Sequence, residues 1–235
     1  MLTNPQFSPL RLTAVRERIA RAAVLAGRQP GAITLIGVAK TQPAPVVGAA
    51  IAAGLTQIGE NYLQEALPRM ASLVASREQV SWHYIGQLQS NKCRPVAEFF
   101  DWVHTVDRLK VAERLSAQRP AHAPALNVCI QVKLGDEATK GGVLPSALPD
   151  LASSIVALPR LRLRGLMCIP PETPDPTKQR HYFAALRQLR EDLNGQGLGL
   201  DTLSMGMSAD LEAAIMEGAT HVRIGTAIFG ERTKA

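Results

Sequence analysis

Cysteine, aromatic side chains and long apolar runs are all scarce in this chain of 235 residues. The three cysteines, Cys93, Cys129 and Cys168, are widely spaced and form no C-x-x-C pair. That argues against a disulfide scaffold or a zinc site and for reduced, buried thiols. Aromatic residues make up 4% of the chain, so stacking platforms are few and no nucleic-acid partner is expected. No apolar stretch reaches the roughly 18 residues of a membrane helix, and no membrane partner is expected. The opening MLTNPQFSPLRLT lacks the apolar core of a secretory signal. The expected location is the cytoplasm.

What is present reads as a globular protein: 46% hydrophobic and 20% charged residues. The length suits two ordinary domains or one α/β barrel of about 200–250 residues. The net charge of +6 is drawn partly from Arg11, Arg16, Arg18, Arg21 and Arg28 near the start, which implies a mild preference for small anions. Leu12, Val15, Ile19, Ala22, Ala23 and Ala26 recur at helical steps and Gly27 stops the run. An Arg-rich amphipathic start also suits a transit peptide. Only Gln29 to Ala32 separate it from the first strand, however, and it reads as a packed helix.

From Ala32 onward, short apolar runs alternate with longer helix-periodic ones, the pattern of parallel βα units. Strands are expected at Ile33–Ala39, Gln57–Gly59, Trp82–Gly86, Trp102–Thr105, Leu126–Val132, Leu161–Met167, Thr202–Ser204 and His221–Ile224. Helices are expected at Ala44–Ala53, Tyr62–Ala75, Asn91–Phe99, Arg108–Gln118, Leu144–Leu158, Thr177–Leu193 and Ala209–Glu217, with a stub after Thr226. Such a series fits a (β/α)8 TIM barrel with an extra N-terminal helix; a doubly wound sheet is the alternative. Without linker or repeat, residues 1–235 are expected to form a single domain.

In such barrels chemistry gathers at the carboxyl ends of the strands. Lys40 ends the first, after LIGVA, where apolar neighbours favour a neutral amine able to form a Schiff base. Position alone also suits a solvated lysine, or a charge that binds an anion. Ser208 is expected to cap the helix that starts at Ala209, and Gly225 and Thr226 to open a terminal helix. Two helix amino ends after strands seven and eight would make a phosphate cradle. Strand alternation could aim Arg223 inward between them. A reactive lysine, a phosphate cradle and an arginine between them match the anchoring of pyridoxal 5'-phosphate by imine, phosphate and ring nitrogen.

The chain resembles the YggS/PROSC family of pyridoxal phosphate homeostasis proteins, whose fold is similar to the barrel domain of alanine racemase. The resemblance spans about Ile33 to Arg232. It is carried by Lys40–Thr41, GENYLQEA from Gly59, WHYIGQLQSNK from Trp82, HTVD from His104, LRGLMCIPP from Leu163, and SMGMS with VRIGTAIFG near the end. It implies a TIM barrel that holds pyridoxal 5'-phosphate as a covalent aldimine on Lys40. Ser208, Gly225 and Thr226 would receive the phosphate, Arg223 would face the pyridine nitrogen, and Asn61 would lie near the ring. VKLGDEATKGG departs from the usual family wording, which leaves the role of Lys140 open.

The implied function is intracellular pyridoxal phosphate homeostasis by a non-catalytic, monomeric carrier, with pyridoxal phosphate-dependent apoenzymes as recipients. An amino-acid racemase is the alternative, and a cofactor-free Schiff-base aldolase a more distant one. A racemase of this architecture draws a second base from a further β domain, whereas Tyr62, Tyr84 and Tyr182 all fall within the barrel. Arginine at the ring nitrogen also disfavours the protonated pyridine that stabilises carbanions. His83 and His104 are expected in core or hydrogen-bonding roles, and Met205 and Met207 in packing. Gln87, Gln89 and Asn91 either order the mouth or cap a helix. Gly195, Gly197 and Gly199 lack dinucleotide-site spacing.

Overall fold

The computed structural model describes residues 7–135 and 141–230; Lys140 and Arg232 lie outside the described residues. Eight parallel strands close into a barrel: β1 (Thr34–Val38), β2 (Gln57–Glu60), β3 (Ser81–Tyr84), β4 (Trp102–Val106), β5 (Leu126–Gln131), β6 (Leu161–Met167), β7 (Thr202–Ser204) and β8 (His221–Ile224). Closure comes from β1 pairing with β8, from Thr34 opposite His221 to Gly37 opposite Ile224. The barrel, and not the doubly wound sheet, is the fold.

Helix α1 (Pro9–Leu25) precedes β1, and its predicted stripe of Leu12, Val15, Ile19, Ala22 and Ala23 is buried. Gly27 ends the run at φ 66°, a left-handed conformation that suits glycine. The strands are followed in order by α2 (Ala44–Ala52), α3 (Leu63–Ser72), α4 (Cys93–Phe99), α5 (Leu109–Gln118), α6 (Leu148–Val156), α7 (Pro176–Gly195), α8 (Leu211–Met216) and α9 (Thr226–Phe229). Pro176 opens α7 where its missing N–H costs nothing, and Asp175 accepts from the backbone N–H of Thr177 at 2.9 Å.

Several expected helices are shorter than their periodicity. The run after Tyr62 becomes 3-10 helix from Val74 to Gln79, and the run after Leu144 begins as 3-10 helix over Pro145–Ala147. The aliphatic core lies between helices and sheet. Inside the barrel the packing turns polar and aromatic, with His83, Trp102, His104 and His221 in mutual ring contact. All three cysteines are buried free thiols, and burial raises the thiol of Cys168 to about 12. No helix among the described residues is long and apolar enough to cross a membrane. Three or more His, Cys, Asp or Glu side chains are nowhere grouped to hold a metal among the described residues.

Candidate cofactor site at the barrel mouth

Lys40 follows β1 as a half-buried residue, its Nζ 4.9 Å from the centre of the Tyr62 ring. The turn after it is unusual. Thr41 has φ 63°, left-handed backbone that β-branched residues avoid. Three contacts hold it there. The Thr41 hydroxyl donates to the Lys40 carbonyl at 2.7 Å, and its N–H donates to Glu65 Oε2 at 2.7 Å. Arg69 donates to the next carbonyl, that of Gln42, from Nε at 3.1 Å and Nη2 at 2.7 Å.

Arg69 is in turn anchored by a hydrogen-bonded ion pair with Glu60, both side chains being buried. Burial outweighs the arginine and pushes the Glu60 carboxyl up to about 7. Glu60 and Glu65 belong to the GENYLQEA word, which thereby shapes the lysine turn. Arg69 and Gln42 are the partners that sequence reasoning missed. Arg69 sits one helical turn beyond Glu65, a spacing that could have drawn attention to it.

After β2, Asn61 lies against Gly86. A side chain at Gly86 would place its Cβ 1.9 Å from the Asn61 carbonyl oxygen, so glycine is required there. The Asn61 Oδ1 atom is buried without a hydrogen-bond partner among the described residues. Arg223 points inward from β8, buried, and donates from Nη1 to Ser204 Oγ and from Nη2 to the Cys168 carbonyl, each at 2.9 Å. Desolvation lowers its pKa, and Asp210 opposes that only at longer range.

Ser208 is not the helix cap expected of it. Asp210 Oδ1 accepts from the Met207 N–H at 2.5 Å, which folds residues 208–210 into a turn and delays α8 until Leu211. The Ser208 carbonyl accepts instead from Arg18 of α1 at 3.2 Å, and Arg18 also pairs with Glu212. Gly225 caps the four-residue α9 as expected, leaving the first N–H groups of that helix without partners inside it.

Lys40, Asn61, Ser208, Arg223, Gly225 and Thr226 all line one cavity of about 440 Å³ at the carboxyl ends of the strands. Gln42, Ile85, Ile169, Glu172 and Met207 complete much of its wall. Glu172 stands just past the β6 end, a position that inspection of every strand end would have included. Gln87 faces an adjoining cavity of about 230 Å³ that shares Asn61 and Ile169. His83 and His104 sit fully buried within β3 and β4, away from the mouth, in the hydrogen-bonding role expected of them.

The family described as alanine racemase, N-terminal domain, matches residues 10–233. The pyridoxal phosphate homeostasis protein of Pseudomonas aeruginosa is 58% identical over 221 residues, covering 94% of each chain. The chain belongs to the pyridoxal phosphate homeostasis protein family. Its Escherichia coli K12 member is 49% identical over 94% of this chain and 95% of its own. The structure of PipY from Synechococcus elongatus PCC7942, with pyridoxal phosphate bound, superposes with a TM-score of 0.80 at 38% identity, covering 90% of this chain and all of that one.

The cavity fits that cofactor on its own features. Its volume lies in the range of small-molecule sites. It offers an amine from Lys40, a cation from Arg223 and, at Asn61, a buried acceptor with lone pairs to spare.

Proposed function

We propose that this protein binds pyridoxal 5'-phosphate in the barrel-mouth cavity, covalently through Lys40, and serves its intracellular homeostasis as a carrier without substantial catalysis. The observation that carries the reading is the convergence of Lys40, Arg223 and the α9 amino end on one cavity. When bound, the cofactor supplies an aldehyde that condenses with amines and a ring that withdraws electrons.

The residues divide the work of holding it. Lys40 offers the amine, on a turn that Glu65 and Arg69 fix. Ser208 and the free N–H groups around Gly225 and Thr226 offer donors to phosphate oxygens. Arg223 offers an N–H to the ring nitrogen, and Asn61 accepts from a ring hydroxyl through its unpartnered oxygen.

A guanidinium keeps its own proton, so it leaves the pyridine nitrogen unprotonated and weakens the ring as an electron sink. This favours storage and delivery over turnover. Pyridoxal phosphate-dependent apoenzymes are the proposed recipients, and the protein is proposed to act in the cytoplasm as a monomer, with 1–235 forming one domain.

Loading the purified protein and incubating it with a panel of amino acids in deuterated water tests both halves. A yellow protein with no enzyme-like α-proton exchange is expected. Failure to bind the cofactor, or fast stereospecific exchange, would overturn the binding or the carrier reading respectively.

A further inference from the structure

Arg223 is a buried polar group of the cavity wall, and behind it runs an unbroken chain of hydrogen bonds through the barrel. Arg223 Nη1 meets Ser204 Oγ at 2.9 Å, and Ser204 Oγ meets His104 Nδ1 at 2.8 Å. His104 Nε2 then meets His83 Nδ1 at 2.9 Å, and His83 Nε2 meets Gln57 Oε1 at 2.8 Å. Five side chains from β2, β3, β4, β7 and β8 are thereby linked. Gln57 stands at the start of β2, lining a separate cavity at the opposite end of the barrel from Lys40.

The chain has a single direction. Guanidinium groups only donate, so Ser204 accepts from Arg223. Ser204 is fully buried, and among the described residues its own proton finds its acceptor at His104 Nδ1. His104 then carries its proton on Nε2 and donates to His83 Nδ1. His83 likewise carries its proton on Nε2 and donates to the Gln57 carbonyl oxygen. The same order satisfies an amide oxygen at the far end, so both ends agree.

Complete burial keeps both imidazoles neutral, pushing them well below their usual range, with His83, His221 and Arg223 adding to the effect on His104. Each link beyond Arg223 is thus made by neutral groups, and the positive charge of Arg223 is not cancelled by a carboxylate in contact with it.

We propose that Ser204, His104 and His83 are positioning residues for Arg223. Through a one-way relay anchored on Gln57, they hold its guanidinium fully charged and turned toward the cavity. This rests on the cofactor reading only for what Arg223 meets there; the relay itself is built from the chain's own side chains. Its role is electrostatic as well as steric. A carboxylate in place of Ser204 would neutralise the arginine, whereas a hydroxyl backed by neutral imidazoles leaves the charge for the ligand.

The test begins on cofactor-free protein labelled with 15N at histidine and arginine. Long-range correlation spectra are expected to show His83 and His104 as neutral Nε2–H tautomers, with Arg223 Nη resonances resolved by hindered rotation. An Nδ1–H or cationic form at either histidine overturns the relay.

Ser204→Ala and His104→Leu should collapse the Arg223 resonances. They should also shift the absorption band of added pyridoxal phosphate and weaken its binding roughly tenfold, the worth of one hydrogen bond to a charged group. His104→Gln, which keeps one donor and one acceptor, should restore the band. A merely structural histidine would lower stability without moving the band or being rescued by glutamine. Unmoved Arg223 resonances in folded Ser204→Ala would also refute the proposal. If the parent protein bound no pyridoxal phosphate, the functional reading would fail while the tautomers and arginine resonances still decided the relay.

Discussion

The Arg69 guanidinium grips the carbonyl oxygen of Gln42 with two N–H groups, at 3.1 and 2.7 Å, only two residues beyond Lys40. Its charged contacts are the buried carboxyl of Glu60 and, at 3.8 Å, the carboxylate of Glu65. The amine of the site is therefore set by an ion pair that never touches it. Arg69→Leu should cost about 3 kcal/mol of stability, because it leaves Glu60 buried without its partner. The same change should weaken pyridoxal phosphate binding by freeing the lysine turn. Urea unfolding and a cofactor titration on the same variant check both effects.

Glu60 also predicts a pH dependence. Its carboxyl is raised from 4.5 to about 7 by burial. Between those values the unfolded chain has released the proton while the folded chain keeps it, so this contribution to stability declines as pH rises through the window. The difference in unfolding free energy between the parent and Glu60→Gln should decline by up to about 1.4 kcal/mol per pH unit there. A difference that is flat with pH would show the carboxyl to be unshifted.

The buried histidines act with the opposite sign. His83 and His104 lie well below 6.5, and His221 is lowered to about 4, all chiefly by desolvation. Below about pH 6.5 the unfolded histidines take up protons that the folded ones refuse, so stability is lost as pH falls. Three such groups outweigh the raised carboxyls of Glu60 and Asp210. Net destabilisation on acidification from pH 6.5 is expected, measurable as a falling urea midpoint.

Much of the architecture was legible because alternation of short apolar runs and helical periodicity survives even where single elements are weak. The three-residue β7 has little β propensity, yet it lies at Thr202–Ser204 as read. The six residues Lys40, Asn61, Ser208, Arg223, Gly225 and Thr226 also share one cavity, because strand ends converge in a barrel. What stayed hidden was long-range pairing. No spacing rule links Arg69 to the Gln42 carbonyl, or His83 to His104 and Ser204 across the barrel. Ser208 looked like a cap because serine prefers that place, but Asp210 takes the Met207 N–H and shortens the helix. The basic excess in and just after α1 reads differently in three dimensions. Arg16, Arg18 and Arg28 are spent on the carbonyls of Gly54, Ser208 and Ile215.

That use of Arg18 carries its own expectation. Arg18→Ala removes a hydrogen bond to the Ser208 carbonyl and the pair with Glu212. The Ser208 turn should loosen, lowering affinity for pyridoxal phosphate severalfold, with about 1 kcal/mol of stability lost. Affinity for pyridoxal, which has no phosphate, should change less. Comparison of the two ligands checks that the effect acts at the anion.

The central claim is that one amine, Lys40, holds the cofactor. Borohydride reduction of the loaded protein followed by peptide mapping tests it directly. A single pyridoxyl group on the peptide carrying Lys40, with no label and no yellow colour in Lys40→Ala, is the expected result. Label on another lysine, with Lys40→Ala still coloured, would contradict it.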